Sequence, residues 1–239
     1  GIQRINNEWM TIKACKSIGP EFGIAKPLGD AIDAPVLLLK SCIGNRSLGW
    51  DLLPPGSGRY EFRSKDKSGV EKRVVYAGYK DKPNFWEMDP AKGLETEPGP
   101  WLDKNGNPID WYAGKQWDDD MNHAKTVLAE LDKHYPGAAA YEVAGFFFWQ
   151  GEKDAGDPGL ATRYERNLAQ VLKAQLAVDG TSGKYPVFED NVATIYTHPL
   201  AQGGSGNGHY GGKAEVYMDV GEEMGKAMLN LIKKARDPR

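Results

Sequence analysis

The chain has 239 residues, of which 40% are hydrophobic and 10% aromatic, so it is long enough to bury a sizeable core. Its 33 acidic and 30 basic residues are interleaved and give a net charge of -3, which excludes a broad basic face and predicts no nucleic-acid partner. No apolar stretch approaches the roughly 20 residues that span a bilayer, and the first residues lack the layout of a signal peptide, so we predict no membrane span.

The first predicted elements are a short helix and a buried strand. Pro20 begins a segment with apolar residues at helical spacing, which is broken before Pro35. The apolar run Val36–Ile43 follows and is typical of a strand covered on both faces in a parallel sheet. Cys42 lies in this run, so we predict a buried, unreactive thiol. With only Cys15 besides it, the chain cannot form a disulfide framework or a four-cysteine zinc site.

An aromatic-rich insertion is predicted over residues 51–111. The segment is also rich in Pro, Gly, Lys and Asp, and Val74–Tyr79 is predicted to be a short strand of a hairpin within it. A long segment with its own aromatic residues is more often a binding loop or a cover than a linker. Core packing also uses aromatic residues, so both interpretations stay open.

Helix and strand patterns alternate through the rest of the chain. Apolar residues recur every three or four positions between Ala113 and His134, which predicts an amphipathic helix. The apolar runs Val143–Trp149 and Val192–Thr197 predict two more buried strands, and further helices are predicted from Pro158 and over 214–231. This alternation predicts one three-layer α/β/α domain over residues 1–239.

Two loops after predicted strands are rich in hydrogen-bond donors. Gly44 and Asn45 follow the first strand, and Gln150 follows the second. Open α/β sheets place their chemistry at the carboxyl ends of parallel strands, so these groups are candidates for an oxyanion hole. His209 lies among glycines, an unusual place for a structural histidine, and is the candidate general base. Gln150 could equally cap backbone groups at the strand end.

At these residues the chain resembles the SGNH hydrolases and, within them, the sialate O-acetylesterase-like carbohydrate esterases. The segment from Gly44 to Leu48 resembles the family's Gly-Gly-x-Ser-Leu-like loop, and the segment from Trp149 to Asp154 matches its Trp-x-Gln-Gly-Glu-x-Asp motif. His209 stands where the family has a histidine close to the last helix, and the segment from Gly19 to Gly23 is similar to the family's Gly-Pro-Glu-x-Gly. The resemblance covers most of the chain.

The resemblance implies a flavodoxin-like α/β/α fold with a largely parallel central sheet, and serine-type removal of O-acetyl groups from a carbohydrate. It implies no cofactor and no metal, an O-acylated carbohydrate as substrate, and a secreted or periplasmic location. The implied catalytic base is His209. The implied oxyanion donors are Gly44, Asn45 and Gln150, and the implied supporting residues are Ser47, Glu152 and Asp154. In the insertion, Trp86 and Trp101 are candidate sugar contacts, because ring faces stack against pyranoses.

The chain departs from the family pattern at two catalytic positions. It contains no Gly-Gln-Ser-Asn turn, so the nucleophile is unknown within these residues, and we expect it upstream, on an N-terminal strand that this chain lacks. The position three residues before His209, an Asp in the family, is Gly206. Both departures are what a non-catalytic carbohydrate-binding domain would show, and this is the alternative function. Ser47 is a weaker candidate for a replacement nucleophile.

Two other kinds of site are less favoured. A glycosidase pair of Glu152 and Asp154 would need roughly 5 to 10 Å between its carboxyl groups, which neighbours on one short loop rarely provide. A metal site at His198 and His209 lacks a suitably spaced carboxylate or cysteine partner.

Overall fold

The computed structural model describes residues 19–65, 68–138, 140–150, 153–161, 192–197, 199–200 and 210–236. The chain divides into two compact units. The first, which we call the helical unit, comprises Gly1–Cys42, His134–Phe148 and Val171–Arg239. The second, the sheet unit, comprises Ile43–Lys133 and Trp149–Gln170 and contains all of the candidate site residues that the structure describes.

The helical unit is built on two helices that pack against each other. Helix α1 spans Glu21–Ala31 and the C-terminal helix α5 spans Ala214–Arg236, as the apolar spacing predicts. Ile24 and Leu28, one turn apart on α1, are buried in one cluster with Met228 of α5. Among the residues that the structure describes, no helix combines the length and the apolar character that a bilayer span requires.

Glycines let α1 and α5 approach at backbone contact. A Cβ atom at Gly23 would lie 2.2 Å from the carbonyl oxygen of Met218, and one at Gly221 would lie 2.1 Å from that of Pro20. Neither distance leaves room for a side chain, so the helix crossing depends on these two residues remaining glycine.

The sheet unit contains a three-stranded antiparallel sheet. Strand β1 spans Tyr60–Lys65, β2 spans Glu71–Tyr76 and β3 spans Phe85–Glu87, in the order β1-β2-β3. Val75 pairs with Trp86, and the buried core of this unit forms around them from Leu53, Ala77, Met88 and Ala113. The predicted strand at Val74–Tyr79 is therefore present in part, within β2.

Three further helices follow the sheet in the chain. The predicted amphipathic helix is divided at Glu130 into α2, Lys115–Ala129, and α3, Leu131–His134. Residues 158–161 are helical from Pro158 onward, as predicted, and we call them α4. The N-cap of α2 is Gly114, whose φ of 90° is readily adopted only by glycine.

The predicted flavodoxin-like fold with a largely parallel central sheet is wrong. In the described ranges the only sheet is β1-β2-β3, which is antiparallel throughout. The three apolar runs predicted to be parallel strands, Val36–Ile43, Val143–Trp149 and Val192–Thr197, contain no strand residues.

The physical reason is the burial of these runs on one side only. Val36 and Leu38 pack against the core of the helical unit, whereas Leu37 and Leu39 between them are 38% and 46% exposed. A strand inside a parallel sheet would be covered on both faces. Cys42, predicted to be buried in this run, is instead an exposed free thiol.

Candidate functional site

The centre of the candidate site is a buried carboxylate that holds a loop. Asp154 is 0% exposed and lies at the start of a short 3-10 helix, Asp154–Gly156. Its Oδ1 accepts a hydrogen bond from the Ser47 hydroxyl and one of 3.3 Å from Gly49 N–H, while its Oδ2 accepts one of 2.8 Å from Leu48 N–H. The carboxylate thus satisfies the buried donors of three consecutive residues.

A second carboxylate, Asp51, holds the same loop from the other end. Its Oδ2 accepts the Ser47 N–H at 2.8 Å, and its Oδ1 accepts the Arg46 guanidinium at 3.1 Å and the Trp111 indole N–H at 2.9 Å. The guanidinium also stacks on Trp111, with its central carbon 4.3 Å from the ring centroid. The Arg46 side chain is therefore held by the Asp51 carboxylate and by the Trp111 ring.

The predicted loop after Trp149 meets the loop after Ile43. Gln150 Nε2 donates a hydrogen bond of 2.8 Å to the carbonyl oxygen of Arg46. Gln150 thus caps a backbone carbonyl, which is the structural role that its position in the sequence left open. Together with the Asp154 contacts, this bond joins two segments that are more than 100 residues apart in the chain.

The turn at Gly44 and Asn45 lies on the surface of the loop. Both residues are exposed, and neither makes a hydrogen bond to any other described residue. Asn45 adopts a φ of 62°, in the left-handed region that Asn tolerates better than most residues. The N–H groups of Ser47, Leu48 and Gly49 are occupied by carboxylates, whereas the donors of Gly44 and Asn45 have no partner among the described residues.

The start of α2 fixes the far side of the loop. Gly114 N–H donates to the carbonyl of Trp50 at 2.7 Å, and Gln116 N–H donates to that of Asp51 at 3.0 Å. Because these are the first N–H groups of a helix, they have no partner within it, and the loop supplies their acceptors. The residues after Ser47 are therefore fixed to a regular element.

A charged cluster lies on the next residues of α2. Asp118 accepts hydrogen bonds from Tyr79, Tyr112 and Lys80. Burial alone would raise the pKa of Asp118, but these three donors outweigh it and lower the pKa to about 2. The same ion pair raises the pKa of the Lys80 ammonium. Asp118 and Lys80 are therefore both charged near neutral pH, and the cluster joins the 79–80 segment to α2.

The remaining predicted groups fall outside the described residues. They are the candidate base His209, the supporting Glu152 and the possible metal ligand His198. Within the described ranges, no group of three or more His, Cys, Asp or Glu side chains is placed to hold a metal ion.

The two candidate sugar-contacting tryptophans have different environments. Trp86 is only 8% exposed, belongs to the core of the sheet unit and donates its indole N–H to Thr96 O at 2.7 Å. It is a core residue, and the prediction of a sugar contact there is wrong. Trp101 is partly exposed and meets Trp50 edge to face, with ring centroids 5.4 Å apart.

Asp51, Arg46 and Trp111 were not predicted as site residues. An acidic residue four positions after Ser47 gave no periodic or motif signal, and the Trp111 contact joins residues 60 positions apart. Aromatic enrichment in the insertion was the only sign of Trp111, and it did not distinguish this residue from the core residue Trp86.

Comparison of the chain with protein-family models, with curated proteins and with solved structures found no match in any of the three. The function is therefore argued from the geometry of the site and from the motifs in the sequence.

Proposed function

We propose that this protein is a carbohydrate esterase that removes O-acetyl groups from a sugar by serine-type hydrolysis. The observation that carries the proposal is the exposed Gly44-Asn45 turn, whose donors have no partner among the described residues while the rest of its loop is fixed. Donors held rigidly before the reaction stabilise a developing oxyanion without reorganising, and this is their main catalytic value.

The proposed reaction begins with attack of a serine oxygen on the acetyl carbonyl. His209 accepts the serine proton, and the oxyanion is held by the donors of Gly44, Asn45 and Gln150. Collapse of the tetrahedral intermediate releases the sugar hydroxyl, which takes its proton from His209, and water then hydrolyses the acetyl-serine ester.

Ser47 is not the nucleophile in this proposal. Its side chain is 3% exposed and its hydroxyl donates to a carboxylate that is itself fully buried. Attack would require the hydroxyl to leave Asp154 and reach the surface. We place the nucleophilic serine instead in sequence upstream of Gly1, since these 239 residues contain no Gly-Gln-Ser-Asn turn.

The burial of Ser47 also favours a second candidate function. A domain that binds carbohydrate without hydrolysing it needs residues that contact the sugar but no nucleophile, and the serine nearest the turn, Ser47, is engaged in holding the loop. The two functions differ in turnover, so a direct assay separates them.

The test is hydrolysis of p-nitrophenyl acetate and of acetylated xylo-oligosaccharides. It compares the 239-residue chain with a chain extended upstream. Each is assayed both with His209 intact and as the His209→Ala variant. His123→Ala is the matched control, because His123 is an exposed residue of α2 outside the site. We expect activity in the extended protein, loss of it in His209→Ala, and no change in His123→Ala.

A further variant tests the oxyanion assignment. Gln150→Ala in the active protein is expected to lower kcat by roughly 100-fold, the usual cost of removing one oxyanion donor. If the 239-residue chain is itself active and His209→Ala abolishes that activity, the nucleophile lies within the 239 residues. If the extended protein hydrolyses neither substrate, the esterase proposal is wrong and the binding function replaces it.

A further inference from the structure

Arg46 lies where the two parts of the proposed oxyanion site meet. Its backbone directly follows Asn45, the second residue of the exposed turn. Its carbonyl oxygen accepts the Gln150 side-chain amide at 2.8 Å. All three residues belong to the sheet unit. A displacement of Arg46 would therefore disturb the turn and the Gln150 amide together.

The Arg46 side chain contacts two residues that also contact each other. Its Nη1 donates to Asp51 Oδ1 at 3.1 Å, and its guanidinium carbon lies 4.3 Å from the centre of the Trp111 ring. Asp51 Oδ1 also accepts the Trp111 indole N–H at 2.9 Å. We call Arg46, Asp51 and Trp111 the arginine clamp. Because each member contacts the other two, none can move without disturbing two contacts.

The arginine clamp is anchored to a regular element. Asp51 is only 4% exposed, and its backbone carbonyl accepts the Gln116 N–H in the first turn of α2. Trp111 lies between the 101–109 hairpin and α2 in the chain, and Lys115 Nζ of α2 lies 5.6 Å from the centre of its ring. The clamp thus links the residue beside the exposed turn to a helix, and such supporting contacts are what hold a functional group in place.

The Gly44-Asn45 turn needs this support because it has few contacts of its own. Both residues are exposed, and a Cβ atom at Gly44 would meet nothing within 4 Å. Asn45 has a φ of 62°, a left-handed conformation that an L residue keeps only when its surroundings hold it. On the C-terminal side of the turn, the first residue that can supply this restraint is Arg46.

We propose that Arg46 is a positioning residue, held by the arginine clamp, that fixes the Gly44-Asn45 turn and the Gln150 amide relative to each other. Asp51 and Trp111 act through Arg46 and do not touch the substrate. The aromatic-rich insertion thereby serves the site by supplying Trp111. The effect on hydrolysis rests on the proposed function, whereas the ordering of the turn does not.

The first test measures backbone amide order parameters by nuclear magnetic resonance in the 239-residue chain. We expect Gly44 and Asn45 to have values near the roughly 0.85 of rigid backbone, and to fall below about 0.6 in Trp111→Ala. Trp111→Phe keeps a ring under the guanidinium, and Arg46→Lys keeps the positive charge without the planar stacking group, so both should give intermediate values. Leu102→Ala is the matched control, because Leu102 is an exposed residue of the same hairpin.

The second test measures hydrolysis of p-nitrophenyl acetate by the extended protein. Trp111→Ala should lower kcat about tenfold and leave KM within about twofold, because misplaced oxyanion donors weaken binding of the transition state more than binding of the substrate. In the double variant with Gln150→Ala, the two losses should be less than multiplicative, since both changes affect the same donor. Leu102→Ala should again change neither constant.

The outcomes separate this inference from the esterase proposal. Order parameters that Trp111→Ala leaves unchanged, a loss that appears in KM rather than kcat, or multiplicative losses with Gln150→Ala would each overturn the inference. If the extended protein hydrolyses no ester, the esterase proposal is wrong and the order parameters alone decide the inference. Hydrolysis that Trp111→Ala does not slow would leave the esterase standing and reject the arginine clamp as a positioning device.

Discussion

At the scale of single residues, the site is organised by two carboxylates with different partners. Asp154 accepts only from a hydroxyl and backbone N–H groups, whereas Asp51 also has the Arg46 cation. A carboxylate that accepts hydrogen bonds from several buried backbone N–H groups fixes the path of the chain, because those N–H groups cannot bond to water instead. Asp154 is therefore the residue on which the loop most depends.

Removing the Asp154 carboxylate should unfold the loop. Asp154→Ala leaves the Ser47 hydroxyl and the N–H groups of Leu48 and Gly49 buried without acceptors, at an expected cost of about 3 kcal/mol in the free energy of unfolding. Ser47→Ala removes one donor and should cost about 1 kcal/mol. Urea denaturation followed by circular dichroism measures both, with the exposed neighbour Lys153→Ala as control.

The double variant tests whether the Ser47–Asp154 contact causes these losses of stability. Because Ser47 and Asp154 contact each other, the effects of their single changes should not add, and Ser47→Ala should cost less in the Asp154→Ala background. Additive costs, or an Asp154→Ala protein as stable as Lys153→Ala, would contradict the description of Asp154 as the support of this loop.

At the scale of elements, the helices followed from the sequence and the strand pairing did not. Apolar spacing of three and four predicted α1, α2 and α5, because a helix satisfies its hydrogen bonds locally and needs only one apolar face. A strand depends on neighbours that spacing does not reveal. The run Val36–Ile43 has strand composition, yet half of its apolar side chains are exposed and no described strand pairs with it.

The candidate site divides in the same way. The motif around Trp149 and the glycine turn at Gly44 are local signals, and the structure brings these two segments together. The Arg46, Asp51 and Trp111 contacts depend on how the 101–111 hairpin returns to the loop. No local pattern encodes that return, so sequence reasoning could not name these residues.

The packing of α1 on α5 gives a test at this scale. Gly221→Ala places a methyl group against the carbonyl oxygen of Pro20 and the backbone of Gly23, neither of which can rotate away, and should cost about 2 kcal/mol. Gly29→Ala lies in α1, where the added methyl group meets nothing within 4 Å, and should instead stabilise the protein by about 0.5 to 1 kcal/mol.

Thermal and urea unfolding of the two variants provide the measurement. The informative result is that the two changes in the free energy of unfolding have opposite signs. Both variants replace a helical glycine by alanine and so share the same gain in helix propensity. Equal stabilisation in both would mean that α1 and α5 do not approach closely at Gly221.

At the scale of the whole molecule, the helical unit has an apolar layer that is covered on one side. Phe147 packs with the residues buried between α1 and α5, whereas Phe146 is 65% exposed. The rings of Phe146 and Phe148 are stacked, with their centroids 6.3 Å apart. Neighbouring residues of one irregular segment thus have opposite environments. A parallel sheet with helices on both faces would bury both rings.

This difference yields a matched pair of substitutions within one segment. Phe147→Ala should lower the free energy of unfolding by about 2 kcal/mol, less than a fully buried ring because Phe147 is only partly buried. Phe146→Ala removes a ring that is already mostly in water and should change stability by no more than about 0.5 kcal/mol. Urea denaturation of the full chain distinguishes the two. Comparable losses of about 3 kcal/mol or more at both positions would indicate a second covering layer over Phe146. A large loss at Phe147 alone would instead support one-sided packing of this segment on α1 and α5.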